Sequence, residues 1–193
     1  MIARAAILLA LVCLMAPLAT ASEIREFDVK TLERLGNELT RVSRQPGRGA
    51  TDAVRKRAKQ TAIAALKGRL FKIHYDYVVL DDPDGKRLLV YALGATSKAH
   101  GVVLAGHFRV TVSADGTKAE RVDALSKTQV SSGPMVPDAV ALFLIQLVSN
   151  KPVETLIYTS NLANKPIYIR TPDGKSWIVA DGKMQVVVRS DSR

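Results

Sequence analysis

Hydrophobic and polar residues alternate with two different periods along the chain, and the period changes near Leu70. Between residues 28 and 67 apolar side chains recur every three or four positions, which is typical of amphipathic helices. The pattern predicts one helix over about 28–44 and another over about 51–67. A loop with one proline and two glycines separates them, so we expect a helical hairpin over 28–67.

From Leu70 onwards apolar and polar residues alternate, as they do in half-buried strands. Asp-Gly turns follow several of these segments, and such turns connect antiparallel strands. We expect hairpins around the turns at 81–85 and 115–116, and two consecutive hairpins over 153–189. The strands predicted in this last stretch are 154–159, 166–171, 176–180 and 184–189.

One segment in this half is apolar on nearly every side, from Val140 to Val148. Its length and its flanking prolines predict a buried helix over 137–149, with a buried strand as the alternative. The elements together predict an α+β domain over 22–193, with helices packed on a mainly antiparallel β-meander sheet of about eight strands over 70–189. The expected core residues are Leu32, Leu35, Leu39, Phe71, Ile73, Tyr75, Val110, Leu142, Ile145, Ile157, Ile167 and Trp177.

Residues 1–21 have the composition of an export signal peptide: Arg4, an apolar core and the small-residue cleavage site Ala19-Thr20-Ala21. A retained N-terminal anchor is the alternative. Cleavage near Ala21 predicts a periplasmic or secreted protein without a further transmembrane span, and with a loose leader over 22–27.

No motif in the sequence indicates a cofactor, a metal site or a catalytic group. The only cysteine, Cys13, lies in the predicted signal peptide, so the mature chain has no thiolate ligand. His74, His100 and His107 lack the spacing of a metal site. One alternative stays open, a hydrolase site assembled on the sheet from His74, His107 and nearby aspartates.

Charge is the clearest functional signal. The net charge is +10, and residues 41–72 contain ten basic residues and one acidic residue. Such a stretch attracts anionic partners, but a single aromatic residue, Phe71, argues against sequence-specific nucleic-acid binding. A solvated helix surface is the ordinary alternative. The candidate anion- or partner-binding residues are Arg41, Arg44, Arg48, Arg55, Lys56, Arg57 and Lys59.

Two segments carry a resemblance, GHFRVTVSADG at 106–116 and PIYIRTPDGKSW at 166–177. They resemble small exported proteins of Gram-negative bacteria that have no assigned function, and the resemblance spans roughly residues 88–185. It implies an envelope location and a single β-rich domain, and it transfers no catalytic residue. The order of a helix followed by a long meander is also similar to that of cystatin-like folds.

We therefore expect a non-catalytic exported binding module whose basic helical region engages an anionic envelope component or an acidic protein. The alternatives are the hydrolase with a His/Asp site on the sheet, and a structural envelope subunit that presents a sheet edge to a partner.

Overall fold

The computed structural model describes residues 23–45, 52–96, 101–133 and 139–187. These residues form three helices and ten strands. The helices are α1 (Val29–Ser43), α2 (Ala53–Ala65) and α3 (Glu154–Ala163). The strands are β1 (His74–Asp81), β2 (Arg87–Ala95), β3 (Val103–Ala105), β4 (Phe108–Ser113), β5 (Ala119–Ala124), β6 (Val130–Ser131), β7 (Leu142–Ile145), β8 (Ile167–Arg170), β9 (Ser176–Ala180) and β10 (Lys183–Val186).

The first two helices begin where aspartates cap them. The N–H of Thr31 donates to Asp28 Oδ1 at 2.9 Å, and the N–H of Arg55 donates to Asp52 Oδ1 at 2.7 Å. These side chains satisfy backbone donors that have no partner within the helix. The structure confirms both predicted helices, each with slightly shorter bounds.

The first sheet has the order β1-β2-β4-β5 with antiparallel pairing throughout, and it separates α1 from α2. Successive residues of β2 point to opposite faces. One face packs against Ala58 and Ala62 of α2, while the other packs in the same cluster as Leu35 of α1. The β2 residues toward α2 are Leu88, Val90 and Ala92, and those toward α1 are Leu89, Tyr91 and Leu93. The two helices therefore do not pack together as the hairpin expected over 28–67.

The second sheet has the order β10-β9-β8-β7, in which β7 runs parallel to β8. Its inner face joins α1 and α3 in one core cluster through Ile167, Ile169 and Val179. A two-stranded pair, β3 with β6, completes the described sheets. The α+β class and the mainly antiparallel pairing are confirmed, but the single sheet of about eight strands is wrong: ten strands divide among three sheets.

Two predicted elements have the opposite secondary structure. Residues 154–163 form the helix α3, although the β-branched and aromatic composition of 154–159 predicts a strand. Nearly all of α3 is buried, so its apolar residues show no helical period, and Asn164 ends it with a left-handed backbone (φ 51°). Conversely, the described part of the helix predicted over 137–149 contains the strand β7. A strand is the alternative that the sequence predicts here, but Phe143 and Ile145 are exposed rather than buried.

Contacts with the rest of the protein hold the segment 23–27, so these residues do not form the expected loose leader. Ile24 is buried, and Arg25 Nη1 lies 2.5 Å from Asp82 Oδ2. Lys127 Nζ lies 2.6 Å from Glu23 Oε1. The predicted signal peptide over 1–21 lies outside the described residues. Among the residues that are described, no helix is long and apolar enough to cross a membrane.

Candidate functional site

The outer side of α2 and the turn after it form the most basic part of the described chain. Small side chains, Ala58 and Ala62, bring the inner side of α2 onto the first sheet. Basic side chains point from the remaining sides toward solvent, and α2 has no acidic residue in its first turn. We call the following six residues the basic surface: Lys56, Arg57, Lys59, Lys67, Arg69 and Lys72.

Within the described residues, the cations of the basic surface form no ion pair with a carboxylate. None of the six lies within 4.0 Å of a carboxylate in the part of the chain that the structure describes. Arg57 Nη1 donates to the carbonyl of Asp115 at 3.0 Å, and Lys59 Nζ lies 5.6 Å from the centre of the Tyr77 ring. Both contacts orient the side chains, and neither is an ion pair.

Arg55 differs from its neighbours because it is bound into the fold. Its Nη2 lies 2.5 Å from Asp81 Oδ1, its Nε lies 3.3 Å from Asp52 Oδ2, and Nη1 donates to the carbonyl of Val79. The side chain ties α2 to the edge strand β1. Among the predicted site residues on α2, Arg55 is therefore the one that is paired with carboxylates in the described chain.

The predicted group of seven basic residues does not lie on one surface. Arg41 and Arg44 belong to the end of α1, on the other side of the first sheet from α2. Arg41 Nη2 lies 3.7 Å from Glu38, and Arg44 Nη2 donates to the carbonyl of Asn161. Arg48 lies outside the described residues. The structure thus places Lys56, Arg57 and Lys59 on α2 and separates them from the α1 pair, while Arg57 contacts the turn after β4 and Lys59 contacts Tyr77 of β1.

Arg44 instead lies at a polar cavity of about 480 Å³ between the ends of α1 and α3 and the second sheet. Lys165 is the other cation of this cavity, and its Nζ donates to the carbonyl of Ala139. Asp181 and the amides of Asn161 and Asn164 complete the polar lining. Sequence reasoning missed this cavity because its residues come from three separate segments.

A second cavity, of about 380 Å³, adjoins the basic surface at Arg69. Phe71, Phe108 and Val122 make its lining largely apolar. Lys127 lies at the same cavity and forms its ion pair with Glu23 there. The basic surface therefore ends beside an apolar cavity.

The two histidines of the hydrolase alternative have different environments, because His107 is buried and His74 is exposed. Nδ1 of His107 accepts from the N–H of Gly94 at 3.0 Å, and Nε2 donates to the carbonyl of Val103 at 3.1 Å. Burial lowers the pKa of His107 to about 4, so the ring is neutral. His74 is exposed on β1, 3.5 Å from Asp76. His100 lies outside the described residues, and those that are described contain no cluster of metal-ligating side chains.

The largest buried polar side chain, Arg109 on β4, belongs to an ionic cluster in the core. It lies 2.6 Å from Glu154 and 2.7 Å from Asp123, and the Phe27 ring covers it at 4.8 Å. Burial alone lowers the pKa of Arg109, but the negative charges of Glu154 and Asp123 outweigh it and raise that pKa. In sequence Arg109 is one polar position of an alternating strand, so no signal indicates its burial.

The geometry thus offers uncompensated cations on one helix rather than a set of reacting groups. Such a surface can hold phosphate or carboxylate groups through charge and can attract them from a distance. Comparisons with family models, with curated proteins and with solved structures find no match for this chain.

Proposed function

We propose that this protein is a non-catalytic exported binding module that engages an anionic envelope component or an acidic protein through the basic surface of α2. The observation that carries the proposal is that six exposed or half-buried cations share one helix and the turn after it without a carboxylate partner. The exported location rests on the signal peptide predicted over residues 1–21.

Cations near the N-terminus of α2 lower the stability of the fold. This supports a role for them in binding rather than in folding. The N-terminus of a helix carries partial positive charge, and each cation near it is unfavourable by a few tenths of a kcal/mol. Lys56 and Arg57 lie within the first five residues of α2. Neither is paired with an acid in the described chain, unlike Arg55. A surface that served only solubility would gain from acidic residues at this end.

The test measures binding of the full chain to three probes of different anionic chemistry: vesicles containing phosphatidylglycerol, soluble polyphosphate and polyaspartate. Lys56→Gln/Lys67→Gln removes two cations of the basic surface that have no contact to a carboxylate. Lys30→Gln/Lys86→Gln removes the same charge from exposed lysines elsewhere and is the matched control.

We expect the Lys56/Lys67 variant to bind the preferred probe about 30-fold more weakly, because each lysine near an anionic surface contributes about 1 kcal/mol. The control variant should lose much less, and added salt should weaken binding of the unmodified protein. The probe bound most tightly distinguishes a lipid surface, a phosphate polymer and an acidic protein. Equal affinity of the two variants for every probe would refute the proposal.

A further inference from the structure

The apolar cavity beside Arg69 lies on the face of the first sheet that α2 covers. Phe108 of β4 lies opposite Ala124 of β5, so their side chains share one face of the sheet. Phe108 and Val122 pack in the same core cluster as the inner side of α2, and both line the cavity together with Ala124. Since β5 is the last strand of this sheet, the cavity lies at the sheet edge.

The lining of this cavity favours an aliphatic chain. Phe108 is 4% exposed, and its ring centre lies 5.8 Å from that of Phe71, at an interplanar angle of 39°. This is a contact distance for an aromatic pair, so no planar ring fits between the two. Val122 and Ala124 add methyl groups to the lining. The cavity volume of about 380 Å³ lies near the lower end of the range of about 300–1,000 Å³ that is typical of small-molecule sites.

The charged side chains at the apolar cavity favour an anion. In the described chain these are Glu23, Arg69 and Lys127. Lys127 Nζ lies 2.6 Å from Glu23 Oε1, so these two charges offset each other. Arg69 is exposed, and among the described residues no carboxylate lies within 4.0 Å of it. A ligand that fills the cavity and reaches Arg69 therefore needs an apolar body with a negative group at one end.

We propose that the apolar cavity binds a single-chain amphipathic anion. The aliphatic chain lies against Phe71, Phe108 and Val122, and its carboxylate or phosphate group binds Arg69. Fatty acids and single-chain phospholipids share this chemistry. The inference rests on the proposed function, because Arg69 belongs to the basic surface, and it specifies the anionic envelope component as a lipid.

An amphipathic anion fits this site better than a ligand with only one of its two features. A phosphate polymer or an acidic peptide would bind Arg69 and leave the apolar lining in contact with water. A neutral apolar molecule would fill the cavity and gain nothing from the cation. An anion with an aliphatic chain uses both, and each methylene group that it buries strengthens binding about fourfold.

The test measures dissociation constants by nuclear magnetic resonance titration, with every probe below its critical micelle concentration. The full chain is expressed from Met1, and mass spectrometry determines which residues the recovered chain contains. Octanoate carries both features of the proposed ligand, whereas octanol has only the chain and acetate has only the charge. Hexanoate shortens the chain by two methylene groups, octyl phosphate changes the anionic group, and naphthoate replaces the chain by a flat ring.

Two variants change the apolar cavity, and each has a matched control. Arg69→Gln removes the cation that has no carboxylate partner in the described chain, and Ala124→Phe fills the cavity from an exposed position on β5. Lys56→Gln/Lys67→Gln removes cations of the basic surface that do not line the cavity. Ala64→Phe adds the same ring at an exposed alanine of α2. Far-ultraviolet circular dichroism checks that all variants retain the secondary structure.

We expect octanoate or octyl phosphate to bind about tenfold more tightly than octanol, because a hydrogen bond to a charged group adds to the burial of the chain. Acetate should bind more weakly still, and hexanoate about tenfold more weakly than octanoate. Arg69→Gln and Ala124→Phe should each weaken octanoate binding about tenfold, whereas the two controls should change it less than about twofold. The tighter of octanoate and octyl phosphate identifies the anionic group.

Equal affinity for octanoate and octanol, tighter binding of naphthoate, or unchanged octanoate binding in either cavity variant overturns the inference. So does a protein that binds none of the probes, as it would if its own N-terminal residues filled the cavity. The Lys56/Lys67 variant separates this result from the proposed function. If it loses affinity for vesicles, polyphosphate or polyaspartate while octanoate does not bind the unmodified protein, the cavity inference alone fails. If it keeps that affinity while octanoate binds as expected, the basic surface proposal alone fails.

Discussion

Nη1 of Arg109 lies 2.6 Å from Oε1 of Glu154, and both side chains are completely buried. Arg109 belongs to β4 and Glu154 begins α3, so the pair joins the first sheet to the central helix. Tyr91 donates its hydroxyl hydrogen to the same Oε1 at 2.8 Å. Buried charges are tolerated when each has a partner, and removal of one partner leaves the other uncompensated.

Glu154→Gln should therefore be strongly destabilising. We expect the free energy of unfolding to fall by about 3 kcal/mol, since breaking a buried ion pair typically costs about 3–5 kcal/mol and Asp123 still neutralises part of the Arg109 charge. Urea denaturation measures the change. Arg34→Gln, which breaks the exposed contact to Glu38 at 3.7 Å, should cost less than about 0.5 kcal/mol. Equal losses for the two variants would contradict a stabilising role of the buried pair.

The buried His107 should make stability fall in mild acid. Burial lowers its pKa from 6.5 to about 4 in the folded protein, whereas the unfolded chain keeps the ordinary value. Between pH 6.5 and pH 4 the unfolded state thus binds more protons, and stability decreases as the pH falls through this window. The full shift of the His107 pKa corresponds to a decrease of about 3 kcal/mol in the free energy of unfolding.

Urea midpoints measured across this pH window test the linkage. His107→Gln should lower stability at pH 7, because the acceptor for the Gly94 N–H is lost, and should flatten the fall between pH 6.5 and pH 4. His74→Gln is the control, since its ring is exposed, and it should keep the steep fall. An unchanged slope in His107→Gln would assign the acid sensitivity to other groups.

Local signals in the sequence were sufficient for much of the fold. Asp28 and Asp52 cap helices through contacts three residues away, and Gly85 and Gly116 supply the positive φ that their hairpin turns require. The wrong assignments are in segments where burial in the tertiary structure determines whether a helix or a strand forms. Every residue of β7 is apolar, and nearly every residue of α3 is buried whether it is apolar or polar, so in neither segment does an apolar period distinguish helix from strand.

The sequence predicts which basic residues are present in the region of the candidate site, but it does not predict how the fold arranges them. The count of basic residues over 41–72 is a property of the sequence, but the assignment of α1 and α2 to opposite faces of one sheet depends on contacts far along the chain. Arg55 is compensated by Asp81, which is 26 residues away. The Arg109 cluster joins residues from three elements, and no spacing in the sequence connects them.

Gly36 allows the close approach of α1 and α3, which intrinsic helix propensity does not reveal. A Cβ at this position would lie 2.5 Å from the carbonyl oxygen of Glu154 and 2.6 Å from Cβ of Ile157. Gly36→Ala should lower the free energy of unfolding by about 1–2 kcal/mol, because the overlap outweighs the gain of about 1 kcal/mol in helix propensity. Gly133→Ala, where a Cβ meets nothing within 4 Å, should leave stability unchanged or slightly higher. Thermal unfolding of both variants shows whether steric overlap or helix propensity has the larger effect at Gly36.

Arg25 should control how firmly the N-terminal segment 23–27 is held. Its guanidinium binds the buried carboxylate of Asp82, its N–H donates to Asp123 Oδ1 at 3.3 Å, and its carbonyl accepts from Arg109 Nη2. Arg25→Gln removes the charged contacts, and a hydrogen bond to a charged group contributes about 1.5–3 kcal/mol. Amide hydrogen exchange in this segment should therefore become about 10- to 100-fold faster, while the amides of β4 change much less.

Arg69→Gln serves as the control for this experiment. It removes an exposed arginine that has no carboxylate partner in the described chain, so exchange in the segment should match that of the unmodified protein. If Arg25→Gln also leaves the exchange of residues 24–27 unchanged, the segment is held by the burial of Ile24 and the contact between Phe27 and Arg109 rather than by the Asp82 ion pair. Faster exchange in β4 to the same extent would instead show that the segment and the core open together.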